Sequence, residues 1–442
     1  MTPLRAGPAE ATALGERLAE LDGWSTERLE AWQLARAREA IRCAWERSPY
    51  YRRVWTEAGV GRTIDTPADL ERFPIVTKAE LLAAGEDWLR SGEGHVGFST
   101  RGTSGEPLVL WLGAGEAEAF ARPAARGLWR AGLRPGMTAL LMSPVWHRLA
   151  ACEGRATVAL GARAAYFWGS SMGSAHVDAF LETARRHRPE IVTATVPFAL
   201  SVLRHCRQRG IEPRELFGGV RSALLVGLPM TPELRVYLRD GLGVGDVFER
   251  SGTQEGAALD ECAAHTAPHV HADVCRLEVV DGDGRPLPPG TRGSLVVTKL
   301  HPGGSPFVRY STGDIAELIP SACPCGSGLP RLKIYGRPEG SVVVSGRQLT
   351  AYDVRLCIDS DPELVGRLVL LVRGAAGEAD TLSVAIEGEP TGEGSLAARL
   401  RERLGVGKVA LHWLGEAQLA WGFRQAIDAA ELTAATGRDD AL

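Results

Sequence analysis

Lysine is almost missing from this 442-residue chain: only Lys78, Lys299, Lys333 and Lys408 occur, so chemistry that needs an ammonium has few places to find one. A surplus of charge is missing too. The formal net charge is −4, which leaves no polycationic footprint and excludes a dedicated nucleic-acid binder. No apolar run approaches the roughly 20 residues that a membrane span needs, so no membrane partner is expected. The opening residues, Met1 to Pro8, lack the apolar core of a signal peptide, and a cytoplasmic protein is the expectation. Eight cysteines in so long a chain do not suggest a disulfide scaffold.

What is present suggests more than one domain, since the length exceeds the usual single-domain size. Residues 9–47 carry apolar positions near 3.6 spacing (Leu14, Leu18, Leu21, Leu29, Trp32, Ile41), broken by Asp22-Gly23-Trp24-Ser25-Thr26. Two helices are expected there, with Ser25 or Thr26 capping the second. Between about 100 and 300, short apolar runs (Thr138–Met142, Ala164–Trp168, Ile191–Ala194) alternate with longer amphipathic ones (His176–Arg186, Pro197–Arg207). That alternation predicts an α/β protein, a sheet covered by helices. Cys275–Val280 and Gly293–Leu300 flank a Gly/Pro-rich turn and predict an antiparallel pair. Residues 341–442 hold their own strands and helices and predict a small α+β domain, joined by a Gly/Pro-bearing hinge at 336–340.

Two distant stretches carry the chemistry. Thr100-Arg101-Gly102-Thr103-Ser104-Gly105-Glu106-Pro107 is a loop of small and hydroxyl residues, whose backbone N–H groups can close around an anion. Arg309-Tyr310-Ser311-Thr312-Gly313-Asp314 ends in a carboxylate suited to a ribose diol. Together with Ser48-Pro49-Tyr50-Tyr51-Arg52-Arg53, Leu70–Lys78, Pro306–Asp314 and Gly336-Arg337-Pro338-Glu339, they resemble the adenylate-forming enzymes, in particular the phenylacetate–CoA ligase branch.

That resemblance implies a large multi-sheet N-terminal adenylation domain (1–335) holding the nucleotide, acid and zinc sites, and a mobile C-terminal domain (341–442). It implies ATP and Mg²⁺ as cofactors, with Thr100, Thr103, Ser104 and Gly105 around the phosphates and Asp314 on the ribose, assisted by Arg337. Glu255, in Ser251-Gly252-Thr253-Gln254-Glu255, would help hold Mg²⁺; Gly252 and Thr253 of that segment, and Gly227 of Val226-Gly227-Leu228-Pro229, would flank the nucleotide. Trp146, His147 and Trp168 would line a pocket for a small aryl acid.

The departures are specific. Arg101 sits inside the phosphate loop, Ser251 replaces an aromatic, Gln254 a Ser/Thr, and Leu228 an acid. Gly422-Phe423-Arg424-Gln425-Ala426-Ile427-Asp428 resembles the family's terminal motif, yet its lysine is gone, and Arg424 is the candidate substitute. A guanidinium is not a neutral replacement for an ammonium. Three readings therefore stand. The acyl group passes to coenzyme A or another nucleophile; or a specialised enzyme makes an amide, ester or heterocycle (or activates a non-carboxylate oxyacid) without CoA; or the chain is a non-catalytic nucleotide-binding relative. A homodimer or a carrier-protein partner is compatible with each.

Glu261-Cys262, His269 and Cys323-Pro324-Cys325-Gly326 match a further arrangement of that branch, implying structural Zn²⁺ on Cys262, His269, Cys323 and Cys325. Three thiolates and one imidazole make a closed tetrahedral set. His265 and His271 are rival ligands, and the spacing alone does not choose among them. Cys43, Cys152, Cys206, Cys275 and Cys357 read as core residues.

Overall fold

The computed structural model describes residues 7–88, 94–100, 106–113, 115–142, 148–168, 173–374, 380–415 and 425–436. The N-terminal helices are Pro8–Ala19 and Thr26–Arg47, and Ser25 caps the second by accepting from the Arg28 N–H. On either side of the Thr100–Pro107 stretch, β1 (Gly94–Ser99) pairs antiparallel with β2 (Val109–Gly113) as a hairpin.

Seven strands form the central sheet: β3 (Thr138–Leu141), β4 (Arg163–Tyr166), β5 (Ile191–Thr195), β6 (Ser222–Val226), β7 (Asp246–Gly252), β8 (Ala258–Asp260) and β9 (His269–Val270). Their order is β4-β3-β5-β6-β7-β8-β9; the first five run parallel and the last two antiparallel. Every residue of β3 is buried, and β5 and β6 nearly so. That is why these strands read as unbroken apolar runs: crossover helices cover both faces of a parallel sheet. The strand order reverses between β3 and β5, and ligands of open α/β sheets bind outside the strand C-termini at such a point.

A second, antiparallel sheet runs β10 (Cys275–Val280), β11 (Arg292–Lys299), β12 (Tyr310–Leu318) and β13 (Leu332–Gly336). The expected pair Cys275–Val280 and Gly293–Leu300 is thus present, one residue offset at each end of the second strand. The Thr-Gly-Asp stretch lies within β12 at the register shift, between Ser311, which pairs with Val296, and Ile315, which pairs with Ser294.

The N-terminal motifs exist to support this strand. Val76 bridges Tyr310, with its N–H donating to Arg309 O and its carbonyl accepting from Ser311 N. The Tyr51 hydroxyl donates to Pro306 O and accepts from Val308 N. Arg309 is buried; its guanidinium donates to the carbonyls of Glu71, Phe73 and Gly284 and pairs with Glu278. The Arg of the Arg-Tyr pair is therefore a scaffold cation, held by the strand's own surroundings.

Beyond residue 336 come the hairpin β14 (Ser341–Val344) and β15 (Arg347–Thr350), then the sheet of β16 (Val369–Arg373), β17 (Thr381–Glu387), β18 (Lys408–Leu414) and β19 (Ala426–Asp428). Their order is β18-β17-β16-β19, and Leu382, Val384, Leu396 and Leu400 pack in a core that belongs to this part of the chain. Among the described residues no helix is long and apolar enough to cross a membrane.

Candidate active site and metal centre

Asp314 and Arg337 meet because β12 and β13 pair Ile315 with Gly336, which brings the residue after β13 beside the carboxylate. Arg337 Nε lies 3.4 Å from Asp314 Oδ1, and the Asp314 N–H donates to Thr312 Oγ1 at 3.1 Å. Burial raises the Asp314 carboxyl above its ordinary range, and the Arg337 charge opposes that shift. The Tyr310 hydroxyl is pushed up by burial and lies within electrostatic reach of Glu255, Arg337 and Asp314. These groups, from three separate chain segments, share one neighbourhood.

Glu255 is buried, just beyond the C-terminal end of β7. The same turn holds β1, for Gln254 Nε2 donates to Ser99 O at 3.0 Å. Thr100 closes the hairpin stem: its N–H donates to Leu108 O, and its hydroxyl accepts from Leu108 N. Gly227 follows β6 with φ +106, Gly252 ends β7 and Thr253 follows it, so the three lie at neighbouring strand ends. Thr103, Ser104, Gly105, Trp146, His147 and Arg424 lie outside the described residues. Gln425, the neighbour of Arg424, packs on the linker: a Cβ at Gly336 would come within 2.0 Å of its Oε1. Trp168 is 69% exposed, whereas Phe167 is buried among Phe180, Phe198 and His176.

Cys262, His269, Cys323 and Cys325 bring their ligand atoms within 4.8 Å of one another, the one such group among the described residues. Cys262 and Cys323 sulfurs are 3.6 Å apart, and Cys325 Sγ is 3.5 Å from His269 Nε2. These separations suit the edges of a tetrahedron around an ion with metal–sulfur bonds near 2.3 Å. His269 Nδ1 lies 3.4 Å from Leu329 O, the arrangement that leaves Nε2 as the coordinating atom. Burial holds its imidazole near pKa 4, hence neutral, and pushes the Cys262 thiol up to about 12. A buried thiol of that kind becomes a thiolate only beside a cation, so the donor set fits Zn²⁺.

The rival histidines are accounted for by their partners. His271 is fully buried, with Nε2 at 2.7 Å from Asp260 and Nδ1 at 2.6 Å from the Arg126 guanidinium. It belongs to a buried chain of charges: Arg126 pairs with Asp273, and Asp260 with Arg250, which also pairs with Glu153. His265 sits between Asp246 at 3.1 Å and Glu261 at 3.3 Å, which raise its pKa to about 9. Glu261 in turn accepts from Arg235 and from the Glu249 N–H, tying the cysteine loop to β7.

Two features escaped the sequence reading. Glu249, two residues before Ser251 on β7, is a buried carboxyl raised to about 7 by burial. Lys299 forms a buried pair with Glu116, 183 positions away. The rarity of lysine was the only available signal for the second; the first had none.

Comparison with known proteins follows this geometry. The phenylacetate–coenzyme A ligase of Thermus thermophilus is 30% identical over 372 residues, 82% of each chain. That of Aromatoleum evansii is 27% identical over 380 residues, 83% of each. A 2-hydroxyisobutyryl-CoA ligase, crystallised in the postadenylation state with 2-HIB-AMP, shares the fold, with TM-score 0.81 at 22% identity over 93% of this chain and 92% of that one. No family model matches the chain. The extent and level of the first likeness, over a chain that carries the Tyr310–Asp314 strand and the cysteine quartet, show that this protein belongs to the phenylacetate–CoA ligase branch of the adenylate-forming enzymes, which are ATP-dependent acid ligases.

Proposed function

We propose that this enzyme activates an aryl carboxylic acid as its acyl-adenylate with ATP and Mg²⁺, then transfers the acyl group to coenzyme A. The observation that carries the reading is the gathering of Glu255, Asp314 and Arg337 about Tyr310, beside the hairpin whose turn is the hydroxyl-rich loop. In the first step a carboxylate oxygen attacks the α-phosphorus and pyrophosphate leaves. In the second a thiolate attacks the acyl carbon and AMP leaves.

Asp314 accepts from the ribose hydroxyls, and the Arg337 charge opposes the upward shift that burial gives its carboxyl. Thr100, Thr103, Ser104 and Gly105 donate to phosphate oxygens, Glu255 holds Mg²⁺, and Gly227, Gly252 and Thr253 let the nucleotide approach the backbone. Arg424 supplies the cation at the reacting centre. Fixed donors at such a centre are worth several kcal/mol in rate, roughly 10²- to 10³-fold each. Trp146, His147 and Trp168 bound the acid. Zn²⁺ on Cys262, His269, Cys323 and Cys325 is structural, because four protein ligands leave no open position. Two relatives named for phenylacetate support the aryl acid.

The test is incubation with ATP, Mg²⁺ and a panel of aryl acids, reading pyrophosphate release and, by mass spectrometry, the acyl-adenylate. Release with none of them overturns the proposal. The absence of lysine beyond Lys408 favours a second reading, in which the adenylate is passed to an amine or hydroxyl instead. Adding coenzyme A or a panel of amines to the same mixture separates the two by product mass.

A further inference from the structure

A lone two-stranded hairpin is marginal in water, so β1 and β2 need an outside anchor if the loop between them is to hold phosphate in a fixed place. The anchor is a polar knot at the far end of β2. Glu116 Oε2 accepts from the Gly113 N–H at 2.9 Å, while its Oε1 accepts from Lys299 Nζ at 2.7 Å. Lys299 also donates to Gly303 O at 2.7 Å. Ser305 completes the knot: its N–H donates to Trp111 O and its hydroxyl accepts from Trp111 N, both at 2.9 Å. Gly304 has φ +61, and a Cβ there would lie 2.1 Å from Glu116 Oε2, so the backbone is pressed onto the carboxylate.

The side chains of Lys299 and Glu116 are 3% and 2% exposed. A buried ion pair is weak evidence for stability, since apolar residues of equal volume often serve as well; its best-attested use is to fix one geometry among several. Here the geometry is that of the reaction. Lys299 ends β11, whose partner β12 carries Asp314, and it lines a cavity of about 10 Å³ together with Glu255, Gln254 and Glu116. The pair therefore joins the phosphate hairpin to both the ribose carboxylate's sheet and the turn of Glu255.

We propose that Lys299 and Glu116 are positioning residues that set the phosphate hairpin at its working distance from Asp314 and Glu255. The inference rests on the adenylation reading above. The test removes both charges together, in Lys299→Gln/Glu116→Gln, so that no lone ion is left buried. Wild-type enzyme must first release pyrophosphate with ATP and an acid; failure there overturns the adenylation reading and this inference with it, whereas the outcomes below bear on this inference alone. With wild type active, the variant is expected to raise KM for ATP about 10-fold and KM for the acid less than 2-fold, the cost of a misplaced binding group. Hydrogen exchange at the amides of 109–113 is expected to quicken. An unchanged KM for ATP in folded variant overturns the proposal. If the double variant does not fold, Lys299→Arg, which keeps the charge on a longer fork, is read identically: a raised KM for ATP supports the proposal and an unchanged one overturns it.

Discussion

At the scale of the residue, chemistry that depends on type and local order was readable in advance, and partnership across the chain was not. Asp314 is a candidate on its motif alone, and its setting was hidden: only the β12–β13 register brings Arg337 beside it. Asp314→Ala is expected to lower kcat/KM for ATP by about 10²-fold or more, read by pyrophosphate release. Arg424→Ala tests the substitute cation; an adenylation rate equal to wild type dismisses it. His265 illustrates the opposite case, a residue whose role comes wholly from distant partners. Asp246 and then Glu261 raise its folded pKa to about 9 against 6.5 when exposed. Folding thus favours the protonated imidazole. That stabilisation is full below pH 6.5, declines from 6.5 to 9 and is gone above 9. His265→Gln is expected to cost about 2 kcal/mol at pH 6 and almost nothing at pH 9.5, by urea denaturation of zinc-replete protein.

At the scale of the element, the parallel strands and their helices followed from apolar runs, because a strand covered on both faces has no other composition available to it. The stretch Leu364–Val372 shows the limit. Only Val369–Arg373 is strand, since Leu364-Val365-Gly366-Arg367 turns from the helix Ala351–Ile358 back to the sheet. The cysteine quartet joins elements of two sheets: Cys262 and His269 flank the β8–β9 connection, and Cys323 and Cys325 lie between β12 and β13. About one zinc ion per chain is expected by elemental analysis. Cys323→Ala should lose it and lower Tm by on the order of 5–10 °C. A variant that retains full metal content would contradict the assignment.

At the scale of the whole molecule, polar contacts dock the C-terminal part on the rest. Arg292 pairs twice with Asp353 at 2.8 Å, Arg204 with Glu387 at 2.6 Å, and Thr231 donates to Asp359 at 2.7 Å, both groups being buried. Thr231 also caps the helix that follows the Val226–Pro229 segment, so docking is felt next to the proposed nucleotide-flanking turn at Gly227. None of this was legible in sequence, because the partners lie between 61 and 183 positions apart. Asp353→Asn with Glu387→Gln is expected to slow pyrophosphate release about 5-fold, the worth of roughly 1 kcal/mol, and to increase the radius of gyration in X-ray scattering.

The linker glycines carry a practical consequence. Gly336 has φ +119, and both it and Gly340 lie against Gln425. Any β-carbon at Gly336 is a wedge: it strains the backbone, collides with the Gln425 amide and, because Gly336 pairs with Ile315, presses on the register that brings Arg337 to Asp314. Gly336→Val is therefore expected to lower kcat/KM for ATP in the pyrophosphate-release assay by about 10-fold, and an unchanged value would show that the register tolerates the wedge.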